Sequence, residues 1–383
     1  MAGAHLRGGR RGSARRLVVL ALLAFVVGLV LGGGATTLFV LDDDGDAGVE
    51  TGDDDTDPGT ADLVPGGAGA AVATPDPGPI TLAFVGDINV EGSLATRLEE
   101  MPGQFVGPFA DVLGDADLAV GNLEAALVTG GTPLDKEFVF DAPPGVLGAL
   151  TAGGIDVASA ANNHAMDYGT DGLAETLGLK ADADGSLIGI GADEGEAYAP
   201  YLAQVGGQRV AVIAATQVID AELIESWTAT EEQGGVASAK RVDRLVAEVA
   251  AARASADTVV VFLHWGIETE TCPSASQQEL AQTLADAGAD VIVGGHAHRV
   301  QGAGRLGDAF VGYGLGNFLF GAVSEESAKS GVLLVEVDGR EVTGYEWRPG
   351  RIAERVPMPL EGEEAEVAIA EWNDLRGCTN LAE

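Results

Sequence analysis

Ile80-Thr-Leu-Ala-Phe-Val85 is a short β-rich apolar run that stops at Gly86-Asp87. The same punctuation recurs downstream. Asp117-Leu-Ala-Val120 stops at Gly121-Asn122-Leu123-Glu124, and Ile155-Asp-Val-Ala-Ser-Ala160 stops at Asn162-Asn163-His164. Val210-Ala-Val-Ile213, Thr258-Val-Val-Val-Phe-Leu263 and Asp290-Val-Ile-Val293 continue the series, with helical patterns such as Arg241 to Ala254 and Ser276 to Ala287 among them. Short apolar strands separated by helical stretches specify an α/β fold. Near-continuous apolar strands imply burial on both faces, hence helices on each side or two stacked sheets. The late runs Phe310-Val-Gly-Tyr313 and Val332-Leu-Leu-Val-Glu-Val337 have no helix between them, which predicts a second, partly antiparallel sheet.

Upstream of Ile80 the character changes. Arg7, Arg10, Arg11, Arg15 and Arg16 precede an uncharged apolar run from Leu17 to Leu41, which Asp42, Asp43 and Asp44 close. A run of this length spans a hydrocarbon core of about 30 Å, and retained positive charge sets the basic end inside. The expectation is a basic cytoplasmic tail (1–16), a transmembrane signal-anchor (17–41) and everything beyond Asp42 outside the cell. A cleaved signal peptide is the alternative, and Arg15-Arg16 resembles a weak twin-arginine signal. Residues 42–79 are rich in Asp, Gly, Thr, Ala and Pro and bury too little to fold, so they read as a disordered acidic linker. The folded domain is expected over 80–360, followed by a C-terminal tail, 361–383. The formal net charge of the 383-residue chain, −38, excludes a nucleic-acid partner, whose phosphates require clustered Lys and Arg.

Polar residues collect at the carboxyl ends of the expected strands, where ligands gather in open α/β sheets. Asp87, Asn122 with Glu124, Asn163 with His164, His264, and His296 with His298 all occupy such positions. They include four of the chain's five histidines. Singly each has a structural reading: a turn cap for Asp87, a left-handed loop for Asn122, a satisfied core position for a histidine. Jointly they form an N/O donor set suited to Mn, Fe, Zn or Mg, and their number suits two divalent ions.

Gly86-Asp87, Gly121-Asn-Leu-Glu124, Asn162-Asn-His-Ala-Met-Asp167, His264-Trp-Gly-Ile-Glu268, Gly295-His-Ala-His298 and Tyr313-Gly-Leu-Gly-Asn-Phe318 occur in this order. In this the chain resembles the CapA family of capsule and poly-γ-glutamate synthesis proteins, from about Ile80 to Phe320. That family is similar to calcineurin-like metallophosphoesterases, which implies a four-layered α/β/β/α sandwich. The resemblance further implies that Asp87 and His298 hold one metal, that Asn163, His264 and His296 hold the other, and that Glu124 bridges or lies near both. His164 would be the catalytic residue, since an imidazole free of metal can donate a proton. Asp167 either orients His164 or, like Asp171, caps the helix containing Gly172-Leu-Ala-Glu-Thr-Leu177. One departure stands out: the metallophosphoesterase pattern has Asp-x-His on the first strand, and this chain has Asp87-Ile88-Asn89. Asn89 would have to ligate through its carbonyl oxygen, or the first site is weak. Trp265 and Phe318, in the same motifs, read as packing residues or as a substrate platform.

Two functions follow as expectations. One is a cell-surface, dinuclear metal-dependent hydrolase or transferase of polymer synthesis; the other is a non-catalytic metal-containing module that binds or exports the polymer. The partners expected are the membrane, through the N-terminal helix, and the cell-surface polymer or its synthase complex. Cys272 and Cys378, the only cysteines, would be exported into an oxidising compartment and are expected to form a disulfide.

Overall fold

Alternation within the strand Ile80–Ile88 decides which layer each side chain joins. Leu82 and Phe84 enter a core shared with Val120, Val212, Val260, Phe262 and Val291, whereas Ala83 and Val85 pack on the opposite face with Leu94, Leu98, Leu147 and Leu150. The computed structural model that shows this describes residues 78–182 and 186–383. The expected basic tail, the 17–41 run and nearly all of the 42–79 linker lie outside the described residues. Among the described residues no helix is long and apolar enough to cross a membrane.

Two mixed sheets stack on that shared core. The first runs Val356–Pro359, Glu341–Ala353, Lys329–Asp338, Ile80–Ile88, Leu118–Leu123, Val157–Ser159, Ser186–Ile188, with Asn317–Leu319 added in parallel at the end of Ile80–Ile88. The second runs Ala303–Leu306, Ala309–Gly312, Val291–His296, Thr258–Trp265, Gln208–Thr216, Tyr201–Val205. Helices Ser93–Glu100 and Val146–Ala152 cover the outer face of the first sheet. Helices Val242–Arg253 and Ala275–Ala287 cover the second through Leu245, Val249, Leu280 and Leu284, which meet Val259, Val261 and Leu263. The stacking order is therefore α/β/β/α.

Local chemistry places these elements. Ser274 caps Ala275–Ala287 reciprocally with Gln277 in a capping box, and left-handed Gly288 (φ 111°) ends the helix. Gly86 admits the backbone of Gly316, whose carbonyl oxygen would lie 1.8 Å from any Cβ at position 86. That approach lets Asn317 reach the end of the first strand. Residues 361–383 carry the helix Gly362–Asp374, anchored by Trp372 stacked on Trp347 at 5.7 Å between ring centroids. The expected disulfide is present, joining Cys272 to Cys378 with a Cα–Cα separation of 5.7 Å.

Candidate metal centre

Parallel register carries the polar strand ends to one edge of each sheet. Asp87 pairs with Asn122 in the first, and Trp265 with His296 in the second. The two edges meet at Asp87, which is fully buried. Its Oδ2 accepts the backbone N–H of His296 at 3.0 Å, and its Oδ1 accepts Asn122 Nδ2 at 2.8 Å. Gly295 makes the meeting possible, since a Cβ there would fall 2.2 Å from Asp87 Oδ1. The chain beyond it is strained, with His296 at φ 88° and His298 at φ 51°. Non-glycine residues adopt such angles where the surroundings impose them, commonly at functional sites.

Two donor triads result: Glu124, His264 and His296 in one, Asp87, Glu124 and His298 in the other, each with ligand atoms within 4.8 Å of one another. Glu124 belongs to both. Neither of its carboxylate oxygens has a hydrogen-bond partner although both are buried, and the same holds for His296 Nδ1. Burial, followed by repulsion from Asp87, pushes the Glu124 carboxyl up to about 8. Buried polar atoms are ordinarily paired, so acceptors left bare at the junction of two triads fit a pair of bound cations. Burial and then the neighbouring His296 hold His264 well below the ordinary imidazole range. Burial and then His298 hold His296 at about 4. Neutral imidazoles of this kind are the form that ligates metals. At His298 burial acts downward but is outweighed by Glu124, by Asp87 (Nδ1 to Oδ2, 3.3 Å) and by Asn317, raising it to about 10.

The other expected ligands divide. Asn163 joins the centre, its Oδ1 2.7 Å from His264 Nε2. Asn89 turns its carbonyl oxygen to the backbone N–H of Glu91 at 2.7 Å, and its buried amide nitrogen is the atom without a partner. An amide N–H₂ is a donor and offers no lone pair to a cation. Asn122 acts as a brace, donating to Asp87 and accepting from Asn162 Nδ2 at 3.1 Å.

His164 stands beside the triads with Nε2 4.0 Å from Glu124 Oε1. Its Nδ1 lies 2.7 Å from Asp167 Oδ2, and the Phe140 ring packs 4.1 Å from the imidazole centroid. Asp167 is thus the partner of His164, and the helix near it begins at Gly169. Trp265 and Phe318 are fully buried, as packing residues. Sequence reasoning placed Asn162 in a motif without giving it a role, and here it braces Leu123 and Asn122; it missed Lys136, whose Nζ lies 2.6 Å from Asp167 Oδ1. Lys136 left one signal: it is the first lysine of a strongly acidic chain.

The sequence profile described as "Bacterial capsule synthesis protein PGA_cap" matches residues 81–322, a stretch containing every residue of this centre. The chain is 29% identical over 290 residues to the PGA biosynthesis protein CapA of Bacillus subtilis (strain 168), covering 74% of each. To the capsule biosynthesis protein CapA of Bacillus anthracis it is 31% identical over 257 residues, 63% of this chain and 60% of that one. A protein of Mycobacterium tuberculosis (strain ATCC 25618 / H37Rv) described as a probable polyglutamine synthesis accessory protein is 30% identical over 189 residues, 48% of this chain and 50% of its own length. With the profile spanning most of the folded domain and its motifs forming one buried centre, the chain belongs to the PGA_cap family of bacterial capsule synthesis proteins.

Proposed function

We propose that this chain is a membrane-anchored extracellular protein of capsule or poly-γ-glutamate-type polymer synthesis, working with a synthase complex, whose metallophosphoesterase-like domain is a dinuclear metal-dependent hydrolase or transferase. The observation that carries the catalytic reading is Glu124, shared by two triads and bare at both oxygens, with His164 alongside. Asp87 and His298 would hold one cation, His264, His296 and Asn163 the other, with Glu124 common to both. Mn, Fe, Zn or Mg bound there would supply Lewis acidity toward a phosphoryl or acyl oxygen and activation of water. The protein's own contribution is positional. Asp167 takes the Nδ1 side of His164, so Nε2 faces the centre and can deliver a proton to a leaving oxygen. Buried Asn122 and Asn162 keep the carboxylate and imidazoles aligned.

Asn89 favours a second reading. Its carbonyl oxygen already accepts the Glu91 N–H and would serve the first cation with one remaining lone pair at most, a weaker site that a binding or export module without turnover would tolerate. Metal analysis of the purified chain, with a screen against phosphoesters and γ-glutamyl peptides, separates the two. His264→Ala should lose metal. His164→Ala should keep metal and lose roughly 10²–10⁴ of the rate, the span expected of a positioned general acid. A wild-type chain that takes up no divalent ion would end the catalytic reading; two bound ions without turnover would favour the module.

A further inference from the structure

The loop between the strands Ala126–Leu127 and Asp141–Ala142 contributes no expected ligand, yet it converges on Asp167. Leu134 donates its backbone N–H to the Asp167 carbonyl at 2.7 Å, and Phe140 donates its own to Oδ2 at 2.8 Å. Lys136 Nζ reaches Oδ1 at 2.6 Å and, at 2.5 Å, the backbone carbonyl of Asn163. The same ammonium lies 4.7 Å from the centroid of Trp227 and 3.7 Å from Asp220, with only 10% of the side chain exposed.

Lys136 is an unusual choice for packing alone. A nearly buried ammonium loses hydration and rotamer freedom, and an apolar side chain of the same length would fill the space at lower cost. The cost is offset by charge-assisted hydrogen bonds to two acceptors. Those acceptors have one thing in common, His164: Asn163 precedes it in the chain, and Asp167 holds its Nδ1. The loop that delivers Lys136 also delivers Phe140 onto the imidazole face. The geometry points to Lys136 as a positioning residue, which clamps Asp167 and the Asn163 carbonyl together and so fixes His164 with Nε2 toward the metal centre. Its effect on rate rests on the catalytic reading above; its effect on orientation does not.

The test uses the full-length chain with ¹⁵N-labelled histidine, in Lys136→Met, which keeps the stem, and Lys136→Arg, which keeps the charge. In metal-stripped protein the Nδ1–H resonance of His164, assigned by its absence from His164→Ala, should vanish or broaden in Lys136→Met and persist in Lys136→Arg. With Mn²⁺ and bis(p-nitrophenyl) phosphate as probe, Lys136→Met should retain its metal and lower kcat by about tenfold or more, with KM within about threefold, the pattern of a misplaced group rather than a lost binding contact. Lys136→Arg should recover most of the loss. Persistence of the resonance in Lys136→Met would overturn the inference, as would a kcat within about twofold of wild type. If the wild-type chain turns over no probe, the catalytic reading fails on its own account and the resonance alone decides the role of Lys136. Should Lys136→Met lose its cooperative melt, Lys136→Gln is read by the same criteria.

Discussion

Glu124→Gln should stabilise the metal-free chain and weaken its stabilisation by metal. In the metal-free chain the Glu124 carboxyl sits at about 8, against an ordinary value of 4.5. An acid whose folded value is raised destabilises the fold above its unfolded value, so the penalty is absent below about pH 4.5, grows as pH rises, and is complete above about pH 8. At about 1.4 kcal/mol per unit, the penalty near pH 7.5 is on the order of 4 kcal/mol. A buried glutamine amide without partners carries a burial cost of roughly 1–3 kcal/mol, but the protonated carboxyl it replaces carries a similar one, so the net stabilisation is up to about 4 kcal/mol. For a domain of this size that is a rise of several degrees in Tm. Metal works in the opposite direction. Wild type gains about 2.7 kcal/mol at a hundredfold excess over Kd, whereas the variant offers only a neutral amide oxygen in place of the carboxylate common to both triads and gains less. The assay is thermal unfolding of the full chain in chelator and in saturating Mn²⁺, at about pH 5 and pH 7.5. A variant less stable than wild type in chelator at the higher pH, or equally stabilised by Mn²⁺, would refute the argument that Glu124 is bare because a cation belongs there.

Replacing Cys272 and Cys378 together with Ser should lower stability by up to about 4–5 kcal/mol, since the cross-link closes a 106-residue separation; urea unfolding measures it, and two titratable thiols in unreduced, denatured protein would contradict the pairing. The charge asymmetry about Leu17–Leu41 predicts that protease added to intact spheroplasts digests the domain, and protection of the domain would reverse the topology.

The strands that build the centre were legible because they are buried on both faces and end abruptly in polar residues. The run at Thr258 to Leu263 extends only to Trp265, and Asp290-Val-Ile-Val293 becomes Val291–His296. The long strand Glu341–Ala353 gave no such signal. Gly344, Pro349 and Gly350 interrupt its sequence, and its pairing with Lys329–Asp338 supplies the order that local propensity lacks. The same division holds at the site. Ligand candidates announce themselves because His, Asp and Glu are costly at buried strand ends unless they have a use. Lys136 and Phe140 come from a loop without regular pattern, and only the fold shows that both converge on His164.

Asn89 shows why residue type at a motif position does not settle its role. A ligand must present a lone pair, which an asparagine can do only through its oxygen, and an oxygen that already accepts a hydrogen bond has one lone pair left for a cation. Here the oxygen caps the turn that follows the first strand, with Glu91 as donor, before the helix Ser93–Glu100 begins. The Asp87–His298 side would then depend on Asp87, His298 and a share of Glu124, while the other side would have two imidazoles, the same share of Glu124 and the Asn163 oxygen. With fewer and more oxygen-rich donors, the Asp87–His298 position would be the weaker and harder one, and the other the tighter. The two positions should therefore fill in sequence, so that chemistry requiring both cations would respond to metal concentration through the Asp87–His298 side.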